Sequence, residues 1–108
     1  MTGLWESHLE VMKGRTVVVT GAGGGIGRCV VDRFADSKLV AIDRTTDRAS
    51  AALAARAADA PESLALGVDF ENPDAVAASL KDIRAFSRDV AALVNVAGFA
   101  QDAVVPML

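Results

Sequence analysis

The most informative segment of this 108-residue chain is Thr16–Gly27, with the sequence TVVVTGAGGGIG. Its first five residues are β-branched, which is typical of a strand buried on both faces of a parallel sheet. The glycines that follow predict a tight turn. A helical pattern then begins, in which Ile26, Val30 and Phe34 recur every four residues. The stretch therefore predicts a strand, a glycine-rich turn and a helix in direct succession.

The same alternation continues along the chain. Three further apolar runs predict buried strands: Leu39–Ile42, Ser63–Val68 and Ala92–Gly98. Asp43 directly follows the first of them. An Ala-rich helix is expected over residues 47–60, followed by Pro61. The order β-α-β-α-β-α-β predicts a parallel sheet covered by helices. We expect one α/β domain over residues 1–108, with residues 1–13 as a short leader.

The third helix has a recognisable start. Asn72 is a good N-cap residue, and Pro73 suits the first helical position because that position needs no N–H donor. The apolar residues expected on its buried face are Val76, Leu80 and Ile83.

Composition argues against several classes of partner. The net charge is −3 and no stretch concentrates Lys or Arg, so we expect no nucleic acid partner. Cys29 is the one cysteine, which excludes an internal disulfide and fits a reducing cytoplasm. No signal peptide is recognised, and no apolar run approaches the ~20 residues of a membrane span. We also expect no metal site.

The glycine-rich turn predicts a phosphate site. Without Cβ atoms the backbone of Gly21–Gly27 can approach a diphosphate closely, and the free N–H groups of the following helix would face that anion. A mononucleotide P-loop is excluded because Arg28 and Cys29, rather than Lys and Ser or Thr, follow Gly27. The alternative is a glycine-rich connection that binds no ligand, although glycines weaken a helix start unless something uses them.

Asp43 points to a dinucleotide. It lies 22 residues after Gly21, at the end of the second predicted strand, where a carboxylate can accept hydrogen bonds from the adenosine ribose. Its charge would repel a 2′-phosphate, so we expect NAD rather than NADP. Arg44 is the opposing feature, because its guanidinium could turn inward to a phosphate. A solvated turn residue remains the alternative for Asp43.

With these features the sequence resembles the short-chain dehydrogenase/reductase family, over residues 13 to about 105. The family's TGxxxGIG motif is matched by Thr20, Gly21, Gly25, Ile26 and Gly27. Gly24 also fits the spacing of the extended subgroup, but Asn95–Gly98, NVAG, resembles the NNAG motif of the shorter subgroup. Asp69 occupies the place of the family's adenine-side aspartate.

The resemblance implies a doubly wound, Rossmann-type sheet, incomplete at about four strands, in the order 3-2-1-4. A ligand would lie where that order reverses, between the first and fourth strands. By resemblance Ile26 lines the pyrophosphate and nicotinamide side, and Asp69 and the backbone of Phe70 contact adenine. Asn95 would lie along the adenosine, and Ala97 and Gly98 would border the nicotinamide ribose. The expected cofactor-binding residues are Gly21, Gly23, Gly25, Ile26, Gly27, Asp43, Arg44, Asp69, Phe70, Asn95, Ala97 and Gly98.

The resemblance also implies chemistry that this sequence does not carry. The family transfers a hydride between a nicotinamide cofactor and a secondary alcohol or ketone, with a Tyr and a Lys four residues later moving the proton. This chain contains no Tyr, and Val96 replaces one Asn of the NNAG motif. We therefore expect no catalytic residue here, and interpret the chain as the dinucleotide-binding half of such an enzyme.

Two alternatives stay open: a non-catalytic NAD-binding module, and an inactive remnant. A fourth strand left as an apolar edge predicts self-association.

Overall fold

The computed structural model describes residues 11–96. The strands are β1 (Thr16–Thr20), β2 (Lys38–Asp43), β3 (Ser63–Gly67) and β4 (Val90–Asn95). The helices are α1 (Gly25–Arg33), α2 (Thr46–Leu53) and α3 (Pro73–Phe86). Most of the expected leader, residues 1–10, lies outside the described residues.

The four strands form one parallel sheet in the order β3-β2-β1-β4, as predicted. Every residue of β1 is buried, which explains its unbroken β-branched run. The register brings Thr20 beside Ile42 on one side and Asn95 on the other. The carboxyl ends of β1, β2 and β4 therefore meet at one edge of the sheet, where the strand order reverses.

Helices cover both faces of the sheet. Val17 and Val19 of β1 point into a core that also contains Val31 of α1 and Ala49 and Ala52 of α2. On the opposite face, Val18 belongs to a second core, against which α3 packs Val76, Ile83 and Phe86. The sheet is thus doubly wound, and the alternation of β1 side chains supplies both cores.

The buried face of α1 excludes Ile26, although Ile26 has the same four-residue spacing as Val30 and Phe34. Gly27 and Val31 are buried and Phe34 completes this face, whereas Ile26 is 73% exposed. Gly27 lies against the backbone of Gly21 and so fixes which side of the helix faces the sheet. Residues 27, 31 and 34 then point inward, and Ile26, one position around the helix, is directed away from the core.

The Ala-rich helix ends earlier than predicted. Its regular hydrogen bonding stops at Leu53, and Ala54 already donates to Ala51, three residues back, in a tightened last turn. Beyond it, the side chain of Arg56 hydrogen-bonds the carbonyls of Phe34, Ser37 and Pro61. These tertiary contacts hold the chain in a compact turn and override the helix propensity of alanine.

The start of α3 is as predicted, but its apolar face is not. The Asn72 side chain accepts hydrogen bonds from the N–H groups of Asp74 and Ala75, and Pro73 begins the helix. Leu80 is exposed, whereas Ser79 is buried and donates to the carbonyl of Val76. The helix therefore contacts the sheet along the side that carries Val76 and Ile83.

Within residues 11–96, no helix combines the length and the apolarity that crossing a bilayer requires.

Candidate functional site

A crevice of about 1380 Å³ lies at the carboxyl ends of the strands. Open α/β sheets bind ligands at this position, where the strand order reverses. The crevice is lined by nine of the twelve residues expected to bind a cofactor: Gly21, Gly25, Ile26, Gly27, Asp43, Arg44, Asp69, Phe70 and Asn95. Gly23 contacts Asp43 behind this lining. Ala97 and Gly98 lie outside the described residues.

The glycine loop presents unused backbone donors to the crevice. Gly21 has a φ of +68°, a left-handed conformation that glycine adopts without strain. The first hydrogen bond of α1 runs from the N–H of Arg28 to the carbonyl of Gly24, and no side chain caps the helix. The N–H groups of Gly25, Ile26 and Gly27 precede that bond, at the positive end of the helix dipole. This arrangement can hold an anion.

The glycines of the loop have different surroundings. A Cβ on Gly27 would lie 2.0 Å from the carbonyl oxygen of Gly21, and a Cβ on Gly23 would lie 2.9 Å from both the Arg48 carbonyl oxygen and Asp43 Oδ2. A Cβ on Gly25 would meet nothing within 4 Å. Gly23 and Gly27 are thus required by packing, whereas the absence of a side chain at Gly25 leaves the crevice open.

The carboxylate of Asp43 points at the glycine loop. Its Oδ2 accepts a hydrogen bond from the N–H of Gly23 at 2.8 Å, and its Oδ1 accepts one from the N–H of Arg44 at 2.7 Å. Arg48 Nε also donates to Oδ1, at 3.0 Å. Burial would raise the pKa of Asp43, but these hydrogen bonds together hold it below its ordinary value. The group is therefore a fixed anion at neutral pH.

Arg48 is a site residue that the sequence reasoning missed. It lines the crevice, and its N–H donates to the Thr45 side chain, which caps α2. The signal was present in the sequence: with Thr45 as N-cap, Arg48 occupies the third helical position, from which a side chain can reach back across the helix start. Arg44, the predicted basic residue, is exposed and meets Asp43 through its backbone N–H.

Asp69 and Phe70 follow β3 on another wall of the same crevice. Asp69 Oδ1 accepts a hydrogen bond from the N–H of Glu71 at 3.0 Å, which fixes the turn, and Phe70 is half exposed. The Val68 N–H donates to the Asp43 carbonyl and ties this turn to the end of β2. The fold thus places a carboxylate and an aromatic ring together beside Asp43.

The ends of β1 and β4 are linked by side chains. Thr20 Oγ1 donates to Asn95 Oδ1 at 2.5 Å, and the Val96 N–H donates to the Thr20 carbonyl. These bonds orient the Asn95 amide at the point where the strand order reverses.

In the part of the chain described, no three His, Cys, Asp or Glu side chains cluster as metal ligands would.

Together these features define a Rossmann-type α/β domain, with a glycine loop at the end of the first strand and an acidic residue at the end of the second. The family model described as short chain dehydrogenase matches residues 15–108. The chain belongs to this family, as the motifs predicted.

Individual relatives agree. A short chain dehydrogenase from Pseudocercospora fijiensis (strain CIRAD86) is 33% identical over 92 residues, which are 83% of this chain and 30% of that protein. The structure of a short-chain type dehydrogenase/reductase from Mycobacterium ulcerans matches with a TM-score of 0.72 and 26% identity, over 83% of this chain and 34% of the other.

A third similarity concerns the fold alone. A ketoreductase from the first module of phoslactomycin biosynthesis in Streptomyces sp. HK803 has a TM-score of 0.68 and 24% identity, over 84% of this chain and 23% of that one. The chain thus spans about a third or less of the length of these relatives. Members of the family bind nicotinamide dinucleotides.

Proposed function

We propose that this chain binds a nicotinamide dinucleotide in the crevice, NAD in preference to NADP, and forms the cofactor-binding part of an alcohol/ketone oxidoreductase. The observation that carries the proposal is the position of Asp43. Its carboxylate lies against Gly23, so a sugar held by Asp43 would have its attached phosphates at the open N–H groups of Gly25–Gly27. A dinucleotide is the ligand that presents both groups at this spacing.

The remaining walls suit the rest of such a ligand. The exposed ring of Phe70 and the Asp69 carboxylate offer a flat apolar surface and an acceptor for adenine. Asn95, oriented by Thr20, would lie along the adenosine, and Ile26 would border the pyrophosphate. The bound nicotinamide would supply the hydride chemistry. This chain's residues would bind and orient the cofactor. The 108 residues include no Tyr, and we propose that proton transfer to the substrate uses residues outside them.

Replacing Asp43 by alanine is expected to weaken NADH binding roughly 10- to 100-fold, because a charge-assisted hydrogen bond to the ribose is lost. Isothermal titration calorimetry with NADH measures this effect, and thermal unfolding checks that the variant is folded. Asp82→Ala is the matched control, since Asp82 is an exposed carboxylate on α3 outside the crevice. Unchanged affinity in the Asp43 variant, or absence of NADH binding by the unmodified chain, would contradict the proposal.

We also propose that the chain resides in the cytoplasm, which its single cysteine fits.

A separate proposal is that the chain self-associates through β4. Among residues 11–96, β4 pairs with β1 alone, and its Leu93 is 65% exposed. An apolar edge strand with free backbone groups tends to pair with another chain. Leu93→Lys is expected to shift the protein toward monomer in light scattering at high concentration. A clean monomer of the unmodified chain under the same conditions would refute self-association.

A further inference from the structure

The ion pair between Arg48 and Asp43 has a consequence for cofactor choice. Asp43 is 7% exposed, whereas the Arg48 side chain is 57% exposed at the rim of the crevice. Because Arg48 Nε lies 3.0 Å from Oδ1, the negative charge of Asp43 is partly compensated. A 2′-phosphate arriving there meets an ion pair rather than a lone carboxylate, so the repulsion expected from the sequence is reduced.

Arg48 also has unused donors. Within residues 11–96, its guanidinium makes one hydrogen bond, through Nε, and the two terminal nitrogens make none. An arginine fork matches the geometry of phosphate and binds it with two parallel hydrogen bonds. The backbone of Arg48 is anchored in the first turn of α2 by Thr45, so the head group can turn while its base stays in place.

The neighbouring charges do not replace Arg48. Arg44 is exposed, and its backbone N–H rather than its guanidinium contacts Asp43. Asp47, in the first turn of α2, is exposed, and Glu71 lines the wall beyond Val68. Arg48 is therefore the cation that already lies within hydrogen-bond distance of the group expected to hold the ribose.

We propose that Arg48 determines cofactor specificity: it stays paired with Asp43 when NAD is bound, and moves to the 2′-phosphate when NADP is bound. The site then accepts both cofactors, with a preference for NAD that is smaller than an unpaired Asp43 would impose. This inference rests on the proposed dinucleotide site.

The test compares Arg48→Gln with Arg44→Gln, using calorimetric titrations with NADH and with NADPH. The unmodified chain is expected to bind NADPH within about tenfold of NADH. Arg48→Gln is expected to weaken NADPH binding roughly 10- to 100-fold and to change the affinity for NADH less than about threefold. Arg44→Gln, at the other predicted basic residue of the crevice, is expected to weaken NADPH binding less than Arg48→Gln does. Arg88→Gln, at an exposed arginine outside the crevice, is the control and is expected to change both affinities by less than about threefold. Arg48→Lys, which keeps the charge without the fork, is expected to recover part of the NADPH affinity.

Three outcomes would overturn the inference while leaving the dinucleotide site intact. They are NADH binding without measurable NADPH binding in the unmodified chain, equal losses for both cofactors in Arg48→Gln, and a larger NADPH loss in Arg44→Gln than in Arg48→Gln. If the unmodified chain binds neither cofactor, the proposed function itself fails, and the inference fails with it. Thermal unfolding of each variant separates a lost contact from a lost fold.

Discussion

Replacing Gly27 by alanine is expected to destabilise the fold strongly, whereas replacing Gly25 by alanine is expected to preserve the fold and to weaken dinucleotide binding. A Cβ at Gly27 would lie 2.0 Å from the Gly21 carbonyl oxygen and 2.8 Å from the Ala22 Cα. These are backbone atoms, and the Ala22 N–H is bonded to the Ile42 carbonyl at the end of β2. The clash can therefore be relieved only by moving α1 away from the sheet.

That displacement is costly because Val31 of the same helix, and Phe34 directly after it, belong to the core. Overpacking that shifts the backbone typically costs about 1–3 kcal/mol and occasionally more, and we expect about 3 kcal/mol here because the clash is with backbone atoms. A domain of this size has a total stability of roughly 5–15 kcal/mol, so Gly27→Ala should lower the midpoint of thermal unfolding by about 10 °C or more.

Gly25→Ala provides the matched comparison. A methyl group there meets nothing within 4 Å, so the free energy of unfolding should stay within about 0.5 kcal/mol of the unmodified chain. The methyl would instead occupy the space through which phosphate oxygens approach the N–H groups of α1. We expect NADH affinity to fall roughly tenfold or more.

Thermal unfolding followed by circular dichroism, with NADH titration of the folded variants, separates the two effects. A Gly27→Ala protein as stable as the parent would show that Gly27 does not pack closely against the backbone of Gly21. Unaltered NADH affinity in Gly25→Ala would show that the phosphates do not bind at this helix start.

Replacing Arg56 by methionine is expected to destabilise the protein by about 2–4 kcal/mol. Its guanidinium donates to three carbonyls from separate segments: Phe34 after α1, Ser37 before β2, and Pro61 before β3. Burial lowers the pKa of Arg56 while the charge of Asp36 opposes that effect, and arginine stays charged at neutral pH. Methionine keeps much of the apolar stem but leaves the half-buried carbonyls without this donor.

Urea unfolding of Arg56→Met and of Arg88→Met measures this effect. Arg88 is exposed and makes no side-chain hydrogen bond to residues 11–96, so its variant should change stability by less than about 0.5 kcal/mol. Arg56→Lys is expected to fall between the parent and Arg56→Met, because one ammonium group reaches fewer of the three carbonyls. Equal stabilities for the Arg56→Met and Arg88→Met variants would contradict this structural role.

Much of the candidate site could be predicted from the local sequence pattern. The β-branched run of β1 and the glycines after it predicted a strand ending at an anion-binding turn, and Asp43 was expected at the end of the next strand. These predictions concern single segments, in which side-chain type and spacing dominate. The prediction for Leu80 was wrong, because periodicity shows that a helix has an apolar face without fixing which of its residues meet the sheet.

Short-range propensity and hydrophobic spacing were enough to specify the parallel α/β order, the glycine-rich helix start and the acidic end of β2. Which glycine lies against backbone and which is open to a ligand depends instead on how the loop packs in the folded protein. The folded structure also brings Arg48 to Asp43 and lets Arg56 join three segments. Those contacts depend on distances of a few ångströms between parts of the chain that meet only after the sheet has assembled.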